Sequence, residues 1–148
     1  QVVEYPRDKN ETDLELALNY AIEHGYRESI IVAALGDRLD QTLGNLALLS
    51  ATRPPSSVIR LDDGVEQAFF CRDHAQVDGK RGDLVSLIPL GGEVTGVCTE
   101  GLRWPLSDAT LLPYKTRGIS NEMLGEVARV QIQSGLLLII HRRLIADN

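Results

Sequence analysis

Ile30, Ile31, Val32, Ala33, Ala34, Leu35, Gly36, Asp37, Arg38, Leu39, Asp40, Gln41, Thr42, Leu43, Gly44, Asn45 is the stretch on which the fold turns. It opens as a short apolar run rich in β-branched residues, the composition of a strand buried on both faces. It then breaks at Gly36 and resumes with Leu39, Leu43, Leu46 and Ala47 at helical spacing. The reading is a strand, a turn and a helix. In an open parallel sheet such turns lie at the carboxyl ends of the strands, where ligands bind, and this one carries Asp37, Arg38 and Asp40 together. A guanidinium grips phosphate oxygens, and a carboxylate holds the magnesium that accompanies them. The same residues also suit a surface salt bridge at the start of a helix.

Working outward towards the amino terminus, Thr12 and Glu15 have the spacing of a capping box. Asp13 sits where the helix dipole favours a negative charge, and Leu14, Leu18, Ala21 and Ile22 form an apolar face. Gly25 ends this helix. Before it, residues 2–5 read as the end of a strand closed by Pro6, with Arg7, Asp8, Lys9, Asn10 and Glu11 as a polar loop. The only methionine is Met123 and the first residues read as a strand already under way, so the expectation is a chain that continues a longer protein. Up to about Ala51 the pattern is α/β.

Arg53, Pro54, Pro55, Ser56 and Ser57 then form a linker, beyond which the pattern is β. Strands are expected at 58–61, 65–71, 84–90, 94–99, 110–114, 126–133 and 136–142, a spacing that suits a sandwich or barrel. Ser134 and Gly135 are of the kind that joins two strands in a tight hairpin. Two loops between these runs are rich in polar groups: Thr99 to Leu106, which holds the single tryptophan, Trp104, and Thr116 to Glu122, which holds Ser120 and Asn121. A Trp beside Pro suits one wall of a slot for a planar or cationic ring. Packing onto its own sandwich is the commoner role for a Trp, and Ser and Asn are common turn formers.

Composition narrows the function. Fifteen Lys and Arg against 21 Asp and Glu give a charge of −6, which disfavours a nucleic-acid surface. No apolar run approaches the ~20 residues of a membrane span, and no signal-like segment is present, so the expected setting is soluble and cytoplasmic. Cys71 and Cys98 lack paired spacing and are expected to be buried thiols. His24, His74 and His141 lack metal-ligand spacing.

Taken together, five pieces resemble the thiamine pyrophosphokinase family. These are Tyr5 and Pro6 running into Lys9, Asn10, Glu11, Thr12 and Asp13; Gly36, Asp37, Arg38, Leu39, Asp40 and Gln41 with Asn45; Leu87, Ile88, Pro89, Leu90, Gly91 and Gly92; Gly101, Leu102, Arg103 and Trp104; and Gly118, Ile119, Ser120, Asn121 and Glu122. The resemblance covers nearly the whole chain. It implies part of a parallel-sheet α/β catalytic domain in residues 1–55, followed by an all-β sandwich that binds thiamine in residues 56–148. It further implies transfer of a pyrophosphoryl group from ATP to the thiamine hydroxyl, releasing AMP, with Mg2+ as cofactor, in a homodimer whose sites are completed across the subunit interface. By resemblance Asp13 and Asp40 are metal ligands, Asp13, Arg38 and Asp40 are catalytic, and Arg38, Asp40 and Gln41 bind ATP. Thr99, Trp104, Ser120 and Asn121 would bind thiamine.

Two departures stand beside this. Asn10 occupies a position where the family usually has Asp, and the family's earlier acidic motif, Asp, any, Asp, any, Asp, Ser, is not in this chain. The alternatives are therefore a thiamine-binding module without catalysis, or an inactive fragment of the enzyme. A kinase that moves a single phosphoryl group and releases ADP is also compatible with the residues.

Overall fold

The computed structural model describes residues 10–36, 38–51 and 57–144. The expected strand at 2–5, the loop as far as Lys9, Asp37 and the linker residues 53–56 lie outside them. Among the described residues the elements are α1 (Asp13–Glu23), β1 (Glu28–Ile31), α2 (Leu39–Ser50), β2 (Val58–Asp62), β3 (Glu66–Cys71), β4 (His74–Asp78), β5 (Leu84–Pro89), β6 (Val94–Glu100), β7 (Ala109–Leu111), β8 (Asn121–Glu122), β9 (Val127–Gln131) and β10 (Leu137–Arg142). The order is a partial α/β unit followed by a β-sandwich, as expected. No helix among the described residues is long and apolar enough to cross a membrane.

Six strands form one sheet in the order β1-β2-β3-β10-β5-β8, and four form a second in the order β4-β9-β6-β7. β1 and β2 are parallel, joined through α2, whereas β2 and β3 are antiparallel. β2 thus belongs to both patterns, and a single sheet runs from the α/β unit into the sandwich. Period-2 alternation explains the packing. On β10, Leu137 and Ile139 enter a core shared with Val97, Met123 and Val130, while Leu138 and Ile140 face a second core containing Leu49 of α2 and Leu61 of β2. The six-stranded sheet is therefore covered on one face by the four-stranded sheet and on the other by α2. A strand apolar on both faces reads as a continuous run, and β10 is that strand.

Four expectations are corrected. β1 is not buried on both faces. It spans Glu28–Ile31, earlier than the apolar run implied, and among the described residues it lies at the edge of its sheet and leaves Ile30 64% exposed. Ser134 and Gly135 do not close a hairpin, because β9 pairs with β4 and β6 while β10 pairs with β3 and β5. The turn instead carries the chain between sheets, held by Ser134 against Thr95, and Gly135 (φ +100) passes so close to Glu93 that an added Cβ would meet its carbonyl oxygen at 2.6 Å. The strand expected at 110–114 is only Ala109–Leu111, and β4 and β8 emerge where no strand was expected. Cys98 is exposed; Cys71 is buried, and burial pushes its thiol up to about 11.

Candidate active site

α1 starts where Thr12 caps it. The Thr12 Oγ1 accepts the Glu15 N–H at 3.2 Å, satisfying one of the amides that the first turn leaves without a helical partner. At the other end Gly25 takes a left-handed conformation (φ +80) and donates to the Ile22 carbonyl at 3.0 Å, closing the helix as expected. α2 starts after Arg38, whose backbone is extended and whose side chain makes no cap. Both helix starts line one cavity of about 780 Å³ at the carboxyl end of β1, to which Thr12, Asp13, Arg38, Asp40, Gln41 and Asn45 bring polar groups. Amides and dipoles at helix starts favour an anion.

The turn between β1 and α2 is held from the helix side. Ala33 adopts a left-handed φ of +57, costly for a residue with a Cβ, and the Asn45 Nδ2 donates to the Ala34 carbonyl at 2.9 Å. Asn45 thereby ties the second turn of α2 to the strand end, a role visible in the sequence only as part of a motif. Arg38 and Asp40 meet each other: Arg38 Nη2 donates to Asp40 Oδ2 at 2.6 Å and Nε to Oδ1 at 3.2 Å, with both side chains about two-thirds exposed (68% and 67%). The Arg38 guanidinium holds the Asp40 carboxyl below its ordinary value. The surface-bridge reading and the ligand reading of this turn are therefore the same geometry: a fork and a carboxylate on the rim of a cavity, paired with each other and open to water.

Among the described residues no group of three or more His, Cys, Asp or Glu is gathered as a metal site. Asp13 and Asp40 nevertheless line one cavity, and Mg2+ characteristically takes one or two protein carboxylates and completes its shell with phosphate oxygens and water. The donor set fits that ion together with a phosphate-bearing substrate.

The second cluster lies on the sandwich. After β6 the chain turns at Gly101 (φ +74), where an added Cβ would collide with the Val127 carbonyl oxygen, so only glycine fits. Residues 101–103 then run beside 122–124: Leu124 N donates to Gly101 O, Arg103 N to Glu122 O, and Leu102 bridges Met123, both side chains buried in the main core. The next residue, Trp104, is 57% exposed. Packing onto the sandwich is thus not what this ring does. Arg103 reaches back to Glu122 at 2.9 Å, and its guanidinium carbon stands 5.1 Å from the centre of the Trp104 ring.

Thr99 and Asn121 are both buried, with their polar atoms turned on this loop. Thr99 Oγ1 accepts from Leu106 N at 2.8 Å, closing the loop at its base. Asn121 Oδ1 accepts from Trp104 N at 3.1 Å and Glu122 N at 2.9 Å, and its Nδ2 donates to Trp104 O at 2.7 Å. Ser120 is exposed in a left-handed conformation (φ +58), its N–H donating to Ser86 Oγ at 3.0 Å. Thr99, Trp104, Ser120 and Asn121 form one constellation around this loop; Asp13, Arg38, Asp40 and Gln41 form another around the cavity. None of the first four lines the cavity of the second.

The chain is similar to known proteins along most of its length. The family model described as "Thiamin pyrophosphokinase, catalytic domain" matches residues 1–61, and "Thiamin pyrophosphokinase, vitamin B1 binding domain" matches residues 74–137. A thiamine pyrophosphokinase from Bacillus subtilis is 28% identical over 138 residues, covering 92% of this chain and 64% of that protein; thiamine pyrophosphokinase 2 of Arabidopsis thaliana is 28% identical over 148 residues, covering 93% and 55%. The crystal structure of the Bacillus subtilis enzyme superposes with a TM-score of 0.85 at 26% identity, over 93% of this chain and 65% of that one, and the Enterococcus faecalis family protein with 0.82 at 25%, over 98% and 70%. The chain thus spans less than two-thirds of the length of these two sequence relatives.

Proposed function

The chain belongs to the thiamine pyrophosphokinase family, and on that footing we propose that the protein containing it moves a pyrophosphoryl group from ATP to the hydroxyl of thiamine, giving thiamine diphosphate and AMP. The observation that carries this reading is the cavity that Asp13, Arg38, Asp40 and Gln41 line together at two helix starts, the environment a polyphosphate requires. Arg38 binds phosphate oxygens and Gln41 bonds the nucleotide. Asp13 and Asp40 would hold Mg2+, which would neutralise the polyphosphate charge that otherwise repels an attacking oxygen. Trp104 covers the cationic thiazolium and the pyrimidine ring, with Ser120 beside it.

In this reading residues 1–55 are the carboxyl-terminal part of the catalytic domain and 56–148 the thiamine-binding sandwich, sharing β2 as a seam. Attack across the cavity requires the two constellations to meet. Their separation within one chain, together with exposed Trp104, Ile119 and Leu124, supports a homodimer in which each site draws on both copies. Free Cys71 and Cys98 are in keeping with a reducing cytoplasm. Nucleotide products resolved after incubation with ATP, Mg2+ and thiamine test the proposal: AMP is expected, ADP moves the reading to single phosphoryl transfer, and saturable quenching of Trp104 by thiamine with no AMP moves it to a binding module, the reading that Asn10 favours.

A further inference from the structure

We propose that Asn121 is a positioning residue for Trp104: its carboxamide fixes the backbone from which the ring projects, and it acts on thiamine through that ring rather than by touching the ligand. The inference rests on the thiamine reading of Trp104 given above. An exposed indole on a free loop would lose its motion on binding, and a loop already fixed avoids most of that loss. The fixing group is Asn121. Two N–H donors converge on its Oδ1, those of Trp104 and Glu122, and a carbonyl, that of Trp104, accepts from its Nδ2. This pattern also sets the orientation of the amide, since a flip would turn donors on donors and carbonyl on carbonyl.

Asn121 therefore grips both polar groups of the Trp104 peptide backbone while only 6% exposed. Both lone pairs of its oxygen and one N–H are committed; a single N–H remains for any direct ligand contact. Its neighbours complete the clamp. Arg103, bonded to Glu122 by side chain and backbone, stands near the ring, and Thr99 closes the loop at Leu106. Leu102 and Met123 anchor both strands of the clamp in the main core. The ring thus projects from a unit whose other members are bonded or buried, Arg103 being exposed yet bonded to Glu122.

Because Trp104 is the only tryptophan, its fluorescence reads the clamp directly. Asn121→Ala is expected to lower Trp104 anisotropy in the ligand-free protein and to weaken thiamine binding, measured calorimetrically, about 5- to 10-fold. Asn121→Asp keeps both acceptor bonds, is expected to lose less, and carries the test if Asn121→Ala does not fold. The deciding arm is a double-mutant cycle: in a Trp104→Ala background, removing Asn121 should cost less than about 2-fold more. A full additional loss there would show that Asn121 meets the ligand itself, and unchanged anisotropy in Asn121→Ala would show that it clamps nothing; either result overturns the proposal. Absence of thiamine binding by the unaltered protein would instead remove the thiamine reading, with the anisotropy arm still deciding the clamp.

Discussion

At the rim of the cavity the Arg38 and Asp40 side chains pair with each other, both about two-thirds exposed, whereas beneath Trp104 the buried Asn121 side chain makes three hydrogen bonds to backbone. Each loop has a left-handed residue that is not glycine in it or beside its anchor, Ala33 in the first and Ser120 next to Asn121 in the second, and each is held by an asparagine, Asn45 and Asn121. They differ in what is left to water. A surface ion pair contributes little to stability, so a phosphate or a cation replaces either partner at small cost. A buried amide bonded to backbone is expensive to disturb, so the ring it holds keeps its place. In the proposed function, charge recognition is thus left exchangeable and shape recognition is built in advance.

The contrast extends to the bodies that carry the loops. Around the tryptophan loop the sandwich buries an extended apolar core and, within it, an Asp83–His141 pair at 2.9 Å with side chains 3% and 1% exposed. Burial alone would raise the Asp83 carboxyl, but bonds from the Leu144 backbone, His141 and the Lys80 backbone outweigh it and hold it below its ordinary value. In the α/β unit, by contrast, α1 buries only Leu18 and α2 only Leu49.

The largest effect is expected at that buried pair. His141→Ala leaves Asp83 charged and without its side-chain partner, and urea unfolding should fall by about 3–5 kcal/mol; a loss below about 1 kcal/mol would break the claim that the sandwich depends on buried polar bonds. Asp40→Asn should lower AMP release about a hundredfold or more while the urea midpoint stays in place, as befits an exposed group. Near-normal turnover would remove the exchangeable loop from the chemistry. Trp104→Ala should weaken thiamine binding about 10-fold with little change in stability; unchanged affinity would deny the prebuilt loop its ligand.

The smallest effect sharpens the scale between surface and core. Arg143 grips Asp62 through two bonds, at 2.8 and 2.7 Å, and holds its carboxyl down at about 2. A carboxyl lowered in the folded state stabilises fully above its ordinary value near 4, and that contribution drains away as pH falls towards 2. Arg143→Ala should cost roughly 1 kcal/mol at neutral pH, discounted for the partial exposure of the pair, and should flatten stability between pH 4 and 2. An unchanged acid slope would assign it to other carboxyls.

Much of the cavity side was legible in the sequence. Thr12 with Glu15 and Gly25 are local signals, acting within four residues, and each appears in the structure where the spacing put it, whereas the strand read as running to Gly36 ends at Ile31. β4 was not legible: His74, Gln76 and Asp78 leave only Ala75 and Val77 as its apolar residues, and it is a strand because β9 lies beside it. β8, two residues long, exists only through its pairing with β5. Asn121 read as a turn former or a ligand contact because its partner Trp104 lies 17 residues away. The role of His141 was not legible because its partner, Asp83, lies 58 residues away.

By itself the sequence determined where helices start and stop, that an α/β part precedes a β part, and which short motifs the two loops carry. These follow from backbone preference, capping and side-chain period, all of which act over a few residues. Only the tertiary structure decided that β9 and β10 part into different sheets, that β2 joins the two halves, that Trp104 faces water, and that Asn121 holds it there. Those outcomes depend on which surfaces the sheets bury against each other, and burial is decided between segments far apart in the chain.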